Sequence, residues 1–430
     1  MIHADEICSQ LYALAKDHNG QDVDILLSGV PVLILQRHES VDHVLCASAD
    51  RYRKNMVWFR QALGASRFSE DGEAWMLRRD LTHSYFTHFD RERACALARC
   101  HAEVAVRRML FDTSGGAATI DDRALRTMAV SVLVENFFNI PFVDTGVDLD
   151  HISEMMEYGS AYSFVPAGMT EAMYSEGARR LPALRREVLR ELSIFRHGAI
   201  PVGPMLAKML AADADPANDI VLEHELLTFF AAGAETSAAT MGWACYLLAK
   251  HPAVQEAIRA ELSAIDEGEG WNALTGCNVL RNFISEALRL FPPTPIIARR
   301  ALQADRIDDR DILPDQNILI SFIGIGHDRR VRSDPWSLGA LDTRLGSHSG
   351  INTAFGAGPR ICGGKHFALV ELMAFLDVFL RQARFVLSSN DPPRFHWKAQ
   401  MLREGGQPVR VVKHQRPSGG TLDSRRCVQG

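Results

Sequence analysis

Phe355-Gly356-Ala357-Gly358-Pro359-Arg360-Ile361-Cys362-Gly363-Gly364 is the stretch whose reading decides the fold of this chain. It sets one cysteine among glycines, with an arginine two residues before it. Such a cysteine suits a thiolate held close against a large flat cofactor, because Gly358 and Gly364 allow close backbone approach and positive φ where a side chain would clash. Amide groups freed in the turn can point at the sulfur and tune its electron donation. Arg360 offers a planar fork of donors for a nearby carboxylate. The competing reading is a buried structural cysteine beside a glycine turn, the commoner fate of a lone Cys.

Bulk properties narrow the possibilities around that stretch. The chain has 430 residues, 47% hydrophobic and 23% charged, with a net charge of −6. That length buries a core large enough to enclose a cofactor and a separate pocket. The acidic balance argues against nucleic-acid binding, which needs a basic face. The 8 cysteines form no Cys-x-x-Cys pair and no regular spacing, so neither a zinc site nor a disulfide framework is expected. The start, Met1-Ile2-His3-Ala4-Asp5-Glu6, lacks a basic region followed by an apolar run, so no signal peptide and no membrane anchor are expected. A reduced, cytoplasmic protein follows from that reading.

Working outward along the chain, residues 23–35 alternate around Ser28-Gly29 as a hairpin would. From about 50 to 300 the apolar spacing is helical. A helix of about 30 residues is expected up to Lys250, capped by Asn218 or Asp219 and stopped before Pro252. Glu223, His224, Glu225 and Glu235 on it exclude a bilayer span. Two more helices are expected over 253–266 and 278–290, then extended chain after Pro292-Pro293-Thr294-Pro295 and a strand from Ile312 to Phe322. A last helix follows the cysteine stretch, from Lys365 to Arg381, and Val409 to Lys413 reads as a terminal strand. The fold class is mainly α with a small β region, in one domain over 1–413. Residues 414–430 are expected to be a disordered tail.

The long helix carries Ala231-Ala232-Gly233-Ala234-Glu235-Thr236-Ser237. Small residues there leave a backbone-level surface on which a planar ligand can lie. Thr236 can bond a carbonyl one turn back and loosen the ladder. Glu235 is a charge amid apolar neighbours and needs a partner or a role. The alternative is a small-residue seam for helix packing. Trp75 and Arg79 stand four apart on one helical face and together could hold one carboxylate; the alternative is Trp in the core and Arg in solvent. Glu286 and Arg289 can pair at three-residue spacing, as can Glu187/Arg190 and Glu256/Arg259.

The pattern Phe355-x-x-Gly358-x-Arg360-x-Cys362-x-Gly364 resembles the haem-ligand loop of the cytochrome P450 family, with every fixed position filled. Ala232-Gly233-x-Glu235-Thr236 resembles its oxygen-activation motif, and Glu286-Ala287-Leu288-Arg289, followed by Leu290-Phe291-Pro292-Pro293, its Glu-x-x-Arg element. The resemblance spans about residues 20–413 and implies the cytochrome P450 fold, with haem b between the long helix and the cysteine-loop helix. It implies Cys362 as iron ligand, Glu235 and Thr236 as the proton-delivering pair, and Gly233, Phe355 and Gly364 against the haem. Propionate contacts fall on Trp75, Arg79, Arg360 and Arg299, with Arg300 as the other choice at the last position. The Glu286–Arg289 pair implies a third member, for which Leu341-Asp342-Thr343-Arg344 is an imperfect match that points to Arg344.

Substrate walls fall by position on Val57–Phe68, on 160–200, on Thr228–Ala232 including Phe229 and Ala232, on Pro295–Ile297 including Ile296 and Ile297, and near Glu404-Gly405-Gly406. Lys365, His366 and Arg78 suggest a basic patch on the cysteine side, suited to an acidic electron-transfer protein. The resemblance therefore implies a monomeric monooxygenase that takes electrons from a ferredoxin-type donor and its reductase and oxidises a small lipophilic metabolite, a terpenoid of secondary metabolism being one choice. A peroxide-dependent or isomerising relative and a non-catalytic haem sensor are the alternatives.

Overall fold

The computed structural model describes residues 6–27, 30–111, 117–161, 175–196, 202–266, 268–341 and 354–414. Its axis is the helix Leu222–Lys250, 29 residues and therefore about 43 Å long. Phe229, Phe230, Met241, Trp243 and Leu248 lie buried all around it, as they must on a helix enclosed on every side. Helix Asp122–Phe138 packs along it, and helix Lys365–Gln382 packs against Arg91–Phe111. One continuous apolar core joins these four helices.

The long helix begins at Leu222 with Val221 at its cap position, so neither Asn218 nor Asp219 caps it. The reason is tertiary: Asp213, from the preceding helix Pro204–Ala214, accepts the Leu222 N–H at 2.8 Å and satisfies an amide that a local cap would otherwise serve. The expected hairpin is present as Val23–Leu27 and Val30–Leu35, paired Val23 to Ile34, with Ser28 and Gly29 outside the described residues. The expected strand over 312–322 is instead two, Arg310–Ile312 and Asn317–Ser321. Between them Asp315 takes a positive φ of 64°, and Gln316 Oε1 accepts the Leu313 N–H, so the chain turns at Pro314-Asp315-Gln316-Asn317, a polar interruption of the expected strand.

The β part is small. A five-stranded sheet runs in the order Val23–Leu27, Val30–Leu35, Asn317–Ser321, Ile296–Ala301, Tyr52–Arg53. Val32 and Ile34 pack on one face with the N-terminal helix Ile7–Asp17, while Leu33 and Leu35 pack on the other with Ile318 and Ile320. Both faces are covered, which is why Val30–Leu35 reads as an unbroken apolar run. A second sheet joins Ala117–Thr119, Val409–Lys413 and Ala383–Leu387. The expected C-terminal tail falls on residues 415–430, outside the described residues.

Candidate functional site

The long helix, the cysteine loop and the end of the five-stranded sheet enclose a cavity of about 1160 Å³. Cys362 lies in its wall, and the surface it exposes is cavity surface. The loop is closed by the Cys362 N–H, which donates to Phe355 O at 2.8 Å. Gly358 adopts φ +67°, and a Cβ there would stand 1.8 Å from Leu45 O, so no other residue fits. Gly364 has ordinary φ; its lack of a side chain leaves room 3.9 Å from the sulfur instead. Burial raises the Cys362 thiol pKa, while the Gly364 and Lys365 N–H groups and the charges of Arg67 and Lys54 pull it down.

Facing the sulfur's chamber, Ala232, Gly233 and Thr236 form a low wall on the long helix. Thr236 Oγ1 donates to Ala232 O at 2.5 Å, the one-turn-back bond expected from sequence. Gly233 has a second duty. A Cβ on it would come 2.3 Å from Leu133 Cδ1, so the glycine also permits close packing of helix Asp122–Phe138. Glu235 points the other way. It lies buried outside the cavity lining, accepting from Ser153 Oγ and Gln400 Nε2, each at 2.9 Å, and lying 3.5 Å from Arg126 Nη1. Burial raises its carboxyl pKa against the pull of Arg126 and Ser153. Next to Thr236, Ser237 donates to Glu371 at 3.0 Å; Glu371 lines the cavity, and burial raises its carboxyl pKa well above the ordinary value.

At the rim the cavity gathers cations. Arg299, Arg360, Arg79, Arg67 and Lys54 all line it, beside Trp75. Arg360 stacks on Trp75 at 4.4 Å, and Arg79 lies 5.8 Å from the same ring. Strand alternation separates the two candidate arginines: Arg299 turns into the cavity, whereas Arg300 turns out and pairs with Asp315 at 3.0 Å. Burial and the charge of Arg360 push the Arg299 guanidinium down to about 10, and burial brings Arg360 to about 10. Lys54 is lowered by burial and by the charges of Arg360 and Arg299. Asp71, 3.3 Å from Arg360, offsets only part of this charge. Crowded cations beside an apolar chamber are costly without anions, and the two propionates of a haem supply that need. With a thiol on one wall and small residues on the opposite one, the residues fit a haem.

Behind the cysteine loop, Arg289 donates to Glu286 through Nε at 2.9 Å and Nη2 at 2.8 Å. It also donates to the carbonyls of Gly326, Pro335 and Ser337. Glu286 accepts the Gly339 N–H at 3.0 Å and meets Arg332 at 2.9 Å. Arg344, the expected third member, lies outside the described residues. Sequence reasoning misses Arg332 because no spacing rule links it to Glu286; a chain reversal brings it there.

Phe229, Ala232, Ile296 and Ile297 all line the cavity, with Phe59, Leu63 and Phe68. The turn at Glu404 does not; the wall comes from Trp397, Ala399 and Gln400, on the preceding turn of the same strand pair. Arg78 is fully buried against Glu225 at 3.2 Å and contributes nothing to a surface patch. Gln400, Glu371, Lys54 and Arg67 carry no mark in the sequence, since nothing in their neighbours distinguishes a chamber wall from ordinary core or surface.

The chamber defines a class, a helical protein built to hold a thiolate-ligated macrocycle. A family model described as Cytochrome P450 matches residues 2–407, and the chain belongs to that family. It is 31% identical over 209 residues to human cytochrome P450 4F12, a match spanning 46% of this chain and 40% of that protein. A putative cytochrome P450 137 of Mycobacterium tuberculosis is 29% identical over 201 residues, again across 40% of its length. The chain thus spans less than half the length of these two relatives. Cytochrome P450 CYP94D108 of Paris polyphylla is 24% identical over 419 residues, covering 88% of this chain and 84% of its own. Among the described residues no helix is long and apolar enough to cross a membrane.

Proposed function

We propose that this chain is a haem-thiolate monooxygenase that oxidises a small lipophilic metabolite with electrons from a separate redox partner. The supporting observation is the placement of Thr236 in the chamber wall while the adjacent Glu235 is buried behind it, its carboxyl pKa raised by burial against the pull of Arg126 and Ser153. The overall change balances as R–H + O2 + 2 electrons + 2 protons giving R–OH + H2O. Haem b bound at Cys362 would supply dioxygen activation and electron transfer.

The chain's own residues do the rest in this reading. Cys362 holds the iron, its loop fixed by Gly358 and by the Phe355 carbonyl. Arg299, Arg360, Trp75 and Arg79 hold the propionates and orient the ring. Glu235 and Thr236 move protons toward the chamber, Thr236 being the member that lines it. Phe229, Ala232, Ile296 and Ile297 exclude water and hold an apolar body, a terpenoid being one that suits them. Electrons would come from a ferredoxin-type donor with its reductase, docking near Lys365 and the exposed His366.

Thr236→Ala tests the reading. It should keep the strongly red-shifted Soret band of the reduced carbonyl complex and divert most donor electrons to hydrogen peroxide. Unaltered coupling of electrons to product would overturn the role of the pair. Product formed as well from hydrogen peroxide alone as from dioxygen and donor would replace the reading with a peroxide-dependent enzyme.

A further inference from the structure

Glu235 and Thr236 are neighbours in sequence, yet the helix turns them to different surroundings, and only Thr236 lines the chamber. Of the three side chains that bind Glu235, Arg126 and Ser153 also lie outside the chamber lining. Gln400 lies in both places. It lines the chamber, is 2% exposed, and donates through Nε2 to Glu235 Oε2 at 2.9 Å.

The turn carrying Gln400 is firmly fixed. It joins Phe395–Trp397 to Met401–Arg403, and the Lys398 N–H donates to Gln400 O at 3.0 Å. Ser160 Oγ accepts the Ala399 N–H at 2.9 Å. The Met401 N–H donates to Pro293 O at 2.8 Å, and the Trp243 indole N–H to Met401 O at 2.9 Å. Trp243 belongs to the same helix as Glu235, two turns on, so turn and helix hold a fixed relation. A glutamine amide held this way has one orientation in which its NH2 meets a carboxylate, and the contact is charge-assisted when Glu235 is ionised.

We propose that Gln400 is a positioning residue for proton delivery: it orients the Glu235 carboxyl from within the substrate chamber. This inference rests on the monooxygenase reading above. When Glu235 gives up its proton, Gln400 and Ser153 stabilise the carboxylate by donating one hydrogen bond to each oxygen; when the proton returns from solvent, the same contacts hold the carboxyl in one orientation. A substrate group that competes for the Gln400 amide would disturb delivery without touching Glu235.

The test uses the haem-loaded protein with Gln400→Leu and, as a second variant of similar length, Gln400→Met. Retention of the red-shifted Soret band certifies that each is folded and loaded. Product is measured in two ways with the same substrate: from dioxygen with donor electrons, and from added hydrogen peroxide, which brings both oxygen atoms and their protons. Loss of a hydrogen bond to an ionised partner should lower the ratio of donor-driven to peroxide-driven product by about tenfold, with kcat rather than KM carrying the donor-driven loss. A ratio unchanged in both variants overturns the proposal, and Gln400 then merely shapes the chamber. If Thr236→Ala also leaves coupling intact, the monooxygenase relay itself fails; if Thr236→Ala uncouples while both Gln400 variants do not, only the role of Gln400 falls.

Discussion

Glu187/Arg190, Glu256/Arg259 and Glu286/Arg289 share the Glu-x-x-Arg spacing and have three different fates. Glu187 and Arg190 stand 3.7 Å apart with both side chains exposed to solvent. Glu256 reaches Arg259 at 3.3 Å, but the arginine is half committed elsewhere, donating to the carbonyls of Leu380 and Ala383. Glu286 and Arg289 are both buried, and every donor of that arginine's fork that the structure pairs meets a carboxylate or a carbonyl. Helical spacing brings each pair within reach. Burial decides what the contact is worth, because water competes with the first pair and is absent from the third.

The comparison can be broken by removing one charged partner at a time. Glu286→Ala should have the largest effect, a loss of about 3–5 kcal/mol, since it leaves Arg289 buried and uncompensated; thermal unfolding and the haem content of purified protein measure it. Arg332→Ala should cost about 1–3 kcal/mol, because Glu286 keeps Arg289 and the Gly339 N–H. Glu256→Ala should cost under about 1 kcal/mol, as Arg259 retains its carbonyls. Glu187→Ala should fall within about 0.5 kcal/mol of the parent protein. A Glu187 effect equal to that of Glu286 would show that spacing, not burial, sets the value.

Acidity sharpens the same contrast. Burial opposes the charge of Glu286, but hydrogen bonds and charges from Arg289, with the Gly339 N–H and Arg332, prevail and hold its carboxyl below the ordinary range. A depressed folded-state pKa contributes stability that is present above the unfolded value, about 4.3, and lost as pH falls through the folded value. The stability gap between the parent protein and Glu286→Gln should therefore be full near neutrality and narrow below about pH 4. Denaturant unfolding across that range checks the sign, and a gap that widens toward acid would contradict it.

Much of the fold is legible because its signals are local. The last helix from Lys365, the Asn278–Leu290 helix and the Val409–Lys413 strand are readable from periodicity and punctuation alone. The helix start at Leu222 is not, because its first amide is served by Asp213 from another helix. The break at Asp315 is marked by Pro314-Asp315-Gln316-Asn317, a turn signal that the expectation of one continuous strand passes over. In the site, Cys362, Thr236 and Glu235 are legible because close approach, helix loosening and a charge amid apolar neighbours need particular residues at fixed offsets, whereas Glu286 is set apart from pairs of the same spacing only by the family resemblance. Gln400, Lys54, Arg67 and Arg332 are not, since each acts on residues far away in the chain.

The sequence by itself determined the helical class, the cysteine loop and the small-residue stretch on the long helix, because φ preferences, side-chain volume and helical periodicity operate over a few residues. Tertiary structure alone decided that Arg299 rather than Arg300 enters the chamber, that Arg78 is buried, and which side chains grip Glu235. Those choices depend on which surface faces which, and they are settled by desolvation and packing between segments far apart in the chain.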